Sequence, residues 1–389
     1  MAASPPPPPQ PPAIVQPAPF EVSYGVIRGV ASRGAQRVVV KVDGRVLRRL
    51  RLRGRDFVVD LDLPTGERTI RVETLDASGA RAGRTVKHVF ALPRAARPGQ
   101  RGRARVPDPN ADRPGPRLDP LLQHELASVA RGFPGTTGIY VQHLTRGVGA
   151  AWNATATFPA ASTLKLAIAV TVLARVQGPP RHGTLLDRLL RSMIVVSDNE
   201  AANTLERLIG GSTSGGSALV NSTMRAIGLE DTEMYGGYIL GTELEAPTNG
   251  RALAAKVPLR TLDQPAWGRG KTTTAVDLAR LVRSLWLASA GLGPLRSSRA
   301  GVNPREARYL LYLLAHVRDP GKLDRQIRRT KGVAVLHKAG WVDSARHDAG
   351  LIVWRGGVFV AAVLTYRATG RADRLAGRVA AASLRRFGG

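Results

Sequence analysis

Residues 94–117, RAARPGQRGRARVPDPNADRPGPR, divide the chain. The stretch is rich in Arg, Pro and Gly and has hardly any apolar side chains. It cannot bury enough surface to offset the entropy of ordering its backbone, so it reads as a basic flexible linker. A chain of 389 residues interrupted in this way must build a separate core on each side. The 43% apolar share is ample for that. The longest apolar runs, 166–174 and 358–364, fall far short of the ~20 residues that cross a bilayer, so no membrane span is expected. There is no cysteine, which excludes disulfides, thiolate metal ligands and a thiol nucleophile.

Lys and Arg number 57 against 29 Asp and Glu, a formal charge of +28. Such a surplus suggests attraction to a polyanion. The arginines are spread along the whole chain, however, and no basic motif with interleaved aromatics accompanies them. The charge therefore reads as a solvated surface, and no nucleic-acid partner is expected.

Residues 1–19 are Pro-rich and predict an extended, unpacked, disordered segment. They lack the basic start and apolar centre of a secretory signal. Residues 20–93 read as all-β. Phe57, Val59, Leu61 and Leu63 alternate with Val58, Asp60 and Asp62, the period of a half-buried strand. Asp43-Gly44 between two apolar runs predicts a hairpin turn. About six short strands with regular turns predict a small β-sandwich, similar to immunoglobulin-like modules.

Residues 118–389 alternate strands with helical periodicities. Helices are expected near 162–176, 184–194, 199–209, 217–227, 273–288, 304–317 and 370–386, and strands at 333–338, 348–354 and 358–366. The order predicts an α/β body whose first and last segments pair, with an all-helical subdomain inserted between them.

Three short motifs in this region carry chemistry. Ser162-Thr163-Leu164-Lys165 heads an apolar helix, and residues three apart share a helix face. A serine hydroxyl needs a base to become a nucleophile, and a lysine with a lowered pKa can serve. Ser197-Asp198-Asn199 leads into a second helix, which it would also cap well. Lys338-Ala339-Gly340 follows the apolar run 333–337, so that a cation stands at a strand end with a small residue and Gly beside it.

Together and in this order, the motifs resemble the active-site set of penicillin-recognising serine enzymes, most closely the class A β-lactamases. Phe158-Pro159-Ala160-Ala161 before Ser162, the continuation Glu200-Ala201-Ala202-Asn203, and Thr272-Thr273-Thr274-Ala275 resemble the family as well. The resemblance covers roughly 118–389 and implies a β-lactamase-like body, an antiparallel sheet flanked by helices. It implies Ser162 as the acylated nucleophile and Lys165 as its base. Ser197 would carry a proton to the leaving nitrogen. Asn199 and Lys338 would bind substrate, and the amides of Ser162 and Trp341, beside Gly340, would form the oxyanion hole. Asp198 would hold its loop. The resemblance implies no metal or cofactor, a β-lactam or cell-wall peptide as small-molecule partner, a monomer, and action outside the cytoplasmic membrane. There the basic linker could touch an anionic wall polymer.

Two departures stand out. Ala339 replaces the family's Thr or Ser, removing one hydrogen bond to the substrate carboxylate. The family's E-x-x-L-N motif, whose Glu activates the deacylating water, is missing, and its place falls near Gly237–Leu240. Glu243 and Glu245 lie just beyond and are the candidates to replace it. The reading is thus a serine hydrolase that acylates, with the deacylating group open. A related D-alanyl peptidase, transpeptidase or esterase and a non-catalytic penicillin-binding or wall-anchoring module are the alternatives.

Overall fold

The chain divides into two units, Met1–Arg97 and Pro98–Gly389, each with a hydrophobic core of its own. The computed structural model describes residues 10–99, 117–176, 178–238, 270–297, 301–319 and 322–388. Residues 1–9 of the Pro-rich start and 100–116 of the expected linker lie outside the described residues.

The first unit has strands β1 (Ala13–Gln16), β2 (Val22–Ser23), β3 (Val26–Val30), β4 (Arg37–Val42), β5 (Arg45–Arg51), β6 (Asp56–Asp60), β7 (Gly66–Leu75) and β8 (Arg81–Ala91). They form two sheets, β1-β3-β6 and β2-β8-β7-β4-β5. Alternation decides which side chains go in. In β6, Phe57 and Val59 are buried while Asp56, Val58 and Asp60 are exposed. Ile27, Phe57 and Val59 from one sheet and Val38, Val40, Ile70 and Val72 from the other form one cluster. At the β4–β5 hairpin, Asp43 and Gly44 take φ of 48° and 82°, the left-handed pair that a two-residue turn needs.

The expectation of an unpacked segment over 1–19 fails at β1, which pairs antiparallel with β3 at a sheet edge. The physical reason is Ile14, which is buried in the cluster. An edge strand tolerates the prolines on either side of it because it needs ladder partners on one side only.

The second unit runs β9 (Arg117–Leu118), α1 (Pro120–Arg131), β10 (Thr136–His143), β11 (Val148–Trp152), β12 (Thr157–Pro159), α2 (Lys165–Arg175), α3 (Leu185–Val195), α4 (Asn199–Gly210), α5 (Thr213–Ala226), β13 (Thr272–Thr274), α6 (Ala275–Ala288), α7 (Pro294–Ser297), α8 (Pro304–Leu314), β14 (Ala334–Val342), β15 (Ala345–Trp354), β16 (Gly357–Tyr366) and α9 (Thr369–Phe387). Its main sheet has the order β14-β15-β16-β10-β11-β9. β10 and β16 pair antiparallel over their whole length, so early and late segments close the sheet around the intervening helices.

Nearly every residue of β16 is buried, which means that both faces of the sheet are covered. Side chains of α1 and α9 join Ile139, Val141, Phe359, Ala361 and Val363 in one cluster. Helix α6 also packs against β10, β15 and β16.

Phe359 is fully buried, with its ring centroid 5.8 Å from Trp354 and 5.4 Å from Phe387. Phe359→Ala removes these contacts and leaves a cavity. Denaturant titration should show a loss of ~3–5 kcal/mol. A loss below ~1 kcal/mol would mean that the helices can collapse onto the vacated space.

Candidate active site

Ser162 sits in a tight 3-10 turn, Ala161–Leu164, that runs directly into α2. The sequence predicts an α-helix from 162, but the first turn is wound more tightly. In a 3-10 turn, residues i and i+3 eclipse, so Ser162 and Lys165 lie on one side of it. Ala161, just before Ser162, has φ of 49°, and Ser197 has φ of 62°. Both are non-glycine residues in the left-handed region, which costs of order 1–2 kcal/mol each. Surrounding contacts hold them there. Thr163 Oγ1 donates to the Ala160 carbonyl at 2.5 Å, and the Tyr238 hydroxyl to that of Ala161 at 3.3 Å.

Lys165 is fully buried. Its Nζ donates to the Ser197 carbonyl at 2.5 Å and to Asn199 Oδ1 at 2.6 Å, with Ser197 Oγ at 3.4 Å. Burial first, and the nearby Lys338 second, push its pKa down from the usual lysine range to about 7. Its two shortest partners are carbonyl oxygens, which only accept. A neutral Lys165 therefore commits both N–H bonds to them and leaves its lone pair free to take a proton.

Asp198 caps α4, accepting from the amides of Glu200 at 2.9 Å and Ala201 at 3.2 Å and from Ser192 Oγ at 2.7 Å. Burial opposes its charge, but these hydrogen bonds hold its carboxyl below the usual range. The cap fixes the start of α4, and with it Ser197 and Asn199 on either side.

Lys338 does not stand at a strand end. β14 extends to Val342, and Lys338 pairs with Ala349 of β15 in mid-strand. Its Nζ donates to Ser197 Oγ at 2.9 Å and to the Ala339 carbonyl at 2.8 Å. Burial lowers its pKa to about 8, with Asp319 and Asp348 opposing the shift. Ser197 is thus approached by both amines, one from α2 and one from β14.

Gly340 lies against the backbone of Ser162 and Thr163. A Cβ there would fall 2.8 Å from the Ser162 nitrogen and 2.7 Å from the Thr163 nitrogen, so only glycine lets β14 come this close. Trp341 follows with 56% of its surface exposed, and Arg346, its cross-strand partner, lies over the ring at 5.4 Å. The side chain of Ala339 is buried and offers no hydroxyl.

Sequence reasoning missed Tyr238 and Lys271. Asn203, one turn along α4 from Asn199, clamps the Tyr238 backbone, donating to its carbonyl at 2.8 Å and accepting from its amide at 2.6 Å. The ring lies 4.5 Å from Lys165 Nζ and 4.5 Å from Lys271 Nζ. Lys271 also donates to the carbonyls of Tyr235 and Gly237, at 3.0 and 2.6 Å. An aromatic ring therefore faces the lysine in the stretch where the family's carboxylate would fall. Glu243 and Glu245 lie outside the described residues. No local pattern announces Tyr238; the one signal is that the place of the missing E-x-x-L-N motif, counted forward from Asp231-Thr232-Glu233-Met234, falls near Gly237–Leu240.

His337 and His347 are both buried and hydrogen-bonded within the sheet. His337 Nδ1 donates to Asp348 at 2.8 Å; burial opposes its charge, but the carboxylate prevails and raises its pKa. His347 donates from Nε2 to the Pro159 carbonyl at 2.6 Å and accepts at Nδ1 from the Thr365 amide at 3.1 Å. Burial lowers its pKa to about 4. It ties β15 and β16 to β12, the strand that leads into the Ser162 turn.

The sequence profile of the Beta-lactamase enzyme family matches residues 121–179 and 178–387. No curated protein sequence matches the chain. Among solved structures, PBP-A is similar at a TM-score of 0.52 and 23% identity, over 70% of this chain and 98% of that one. A PBP-A mutant captured as its acyl-enzyme complex with penicillin G gives the same values. The class A β-lactamase of Mycobacterium abscessus has a TM-score of 0.52 and 20% identity, over 69% of this chain and 100% of that one. At these identities the likeness is one of fold.

Asn203→Ala frees both backbone groups of Tyr238 in a buried setting. Equilibrium unfolding should show a loss of ~1–3 kcal/mol. An unchanged midpoint would mean that Lys271 alone holds Tyr238 in place.

Proposed function

Because the chain belongs to the β-lactamase enzyme family, we propose that its second unit is a serine hydrolase that acylates Ser162 with a β-lactam or a cell-wall peptide amide and releases the ester slowly. The observation that carries this reading is the buried Lys165, held by Ser197 and Asn199 while Lys338 holds the Ser197 hydroxyl. These contacts link a base, a proton carrier and a cation beside one nucleophile.

The steps follow from the chemistry of each group. Neutral Lys165 takes the proton of Ser162 Oγ as that oxygen bonds to the carbonyl carbon. The negative charge developing on the carbonyl oxygen is met by the amides of Ser162 and Trp341. The tetrahedral adduct then collapses and the C–N bond breaks. Ser197 gives its proton to the leaving nitrogen and is reprotonated by Lys165, so the base returns to its starting state and the acyl group stays on Ser162. Lys338 attracts the substrate carboxylate and keeps the Ser197 hydroxyl turned toward the leaving group. Ala339 contributes nothing to that carboxylate, which weakens its binding by ~1.5–3 kcal/mol relative to a hydroxyl residue.

Deacylation needs a base beside a water. Tyr238 fills the space facing Lys165 with a ring whose hydroxyl is held well above its ordinary pKa, by burial first and Glu206 second. A phenol in that condition does not deprotonate water. This favours a penicillin-binding or D-alanyl peptidase role, with the acyl group passed to an amine or slowly to water, over rapid antibiotic destruction. A vestigial, non-catalytic pocket would have no use for a lysine poised near neutral pH. Family membership supports action outside the cytoplasmic membrane, with the first unit as an immunoglobulin-like companion module.

A pulse of penicillin followed by mass spectrometry should show one adduct per chain, absent in Ser162→Ala. The acylation rate should rise with pH through about 7, because the base acts only after losing its proton. A rate that stays flat through that range would remove Lys165 as the base. Tyr238→Glu places a carboxylate against Lys165 and should shorten the adduct's lifetime by ~100-fold. A lifetime equal to that of the native chain would show that some other feature limits release.

A further inference from the structure

Of the nine arginines on β4, β5, β7 and β8, six share one face of their sheet by register, and Arg45, Arg48 and Arg68 lie on the other. Three rows of side chains cross one face of the five-stranded sheet, the face turned away from the buried cluster. One row reads Arg51, Arg37, Leu75, Arg81 across β5, β4, β7 and β8. The next reads Arg49, Val39, Glu73, Arg84, and the third Val46, Lys41, Arg71, Val86. Five of these arginines are exposed: Arg37, Arg49, Arg51, Arg81 and Arg84. Glu73 is the one carboxylate in the rows, and it is paired with Lys41 at 2.7 Å. Arg71, in the middle of the face, has its Nε buried without a hydrogen-bond acceptor among the described residues.

We propose that this face binds a linear phosphodiester polymer. Neighbouring strands stand ~4.8 Å apart, so each row lays out its side chains over roughly 15 Å, the reach of a polymer segment rather than of one small anion. The guanidinium fork matches phosphate oxygens in pairs, and five of the six arginines in the rows are exposed. The rows contain no aromatic side chain, so they offer no platform for stacking bases, which argues against a nucleic acid as the natural occupant. The inference does not depend on the chemistry assigned to Ser162.

The test uses the full chain and poly(glycerol phosphate) as the probe, with affinity measured at several salt concentrations. Binding should weaken steeply with salt, as expected when phosphate contacts release counterions. Replacing Arg49, Arg51 and Arg84 together by Gln should cost ~10-fold or more in affinity and lower the salt slope by two to three contacts' worth. All three are exposed, so the unfolding midpoint should not change. A second triple variant, with Arg328, Arg329 and Arg355 of the other unit changed to Gln, removes the same charge elsewhere and should bind as the native chain does. Equal losses in the two variants would overturn the proposal, since net charge alone would then explain the attraction. Binding to single-stranded DNA or to phosphatidylglycerol vesicles as tight as to the polymer would overturn it too, as would no binding to the polymer at all.

Discussion

A lysine amine buried between two carbonyl oxygens is the constraint around which the second unit is arranged. An ammonium with no anionic contact at that depth is costly, so the surroundings either neutralise it or supply oxygen acceptors. Here they do both in part. Ser197 and Asn199 accept from Lys165, while Lys338 and Lys271 add positive charge nearby. The fold follows from that need. The capped start of α4 must stand beside the Ser162 turn, and β14 must pass close enough to present Lys338. The left-handed backbones of Ala161 and Ser197 are the local cost of meeting there.

Much of this was legible in the chain. Helix periodicity located α3, α4 and α9 to within a few residues, because each buries one apolar stripe, and the apolar runs of α2 and α6 located those two, which are buried nearly all round. The three motifs marked the residues that converge, since their chemistry depends on residue type at short spacing. The length of β14 was not legible. Lys338, Ala339 and Gly340 interrupt its apolar run, yet they continue the ladder because their backbones still pair with β15. Burial of His337 and His347 was invisible for a similar reason: a polar side chain goes inside when a distant partner satisfies it, and Asp348 and the Pro159 carbonyl come from other parts of the ladder or chain.

Tyr238 illustrates a different limit. Its position could be counted, but a ring between two amines leaves no periodic trace, and the clamp from Asn203 is one side chain among many polar ones on α4. The arginine-rich composition hid a pattern in the same way. Read along the chain, the charges are evenly scattered. Read across the register of β5, β4, β7 and β8, six of the nine arginines on these strands fall on one side of the sheet.

The imidazole of His347 has a consequence for life in acid. Both ring nitrogens are spoken for, one as donor to Pro159 and one as acceptor from the Thr365 amide, so an added proton has nowhere to sit without breaking the second bond. The unfolded ring takes up a proton near its ordinary 6.5, whereas the folded one resists down to about 4. Stability drawn from this strut is therefore whole above that ordinary value and drains away as the medium sours toward the lower one. The segment that leads into Ser162 would slacken in surroundings where most surface carboxylates still carry their charge.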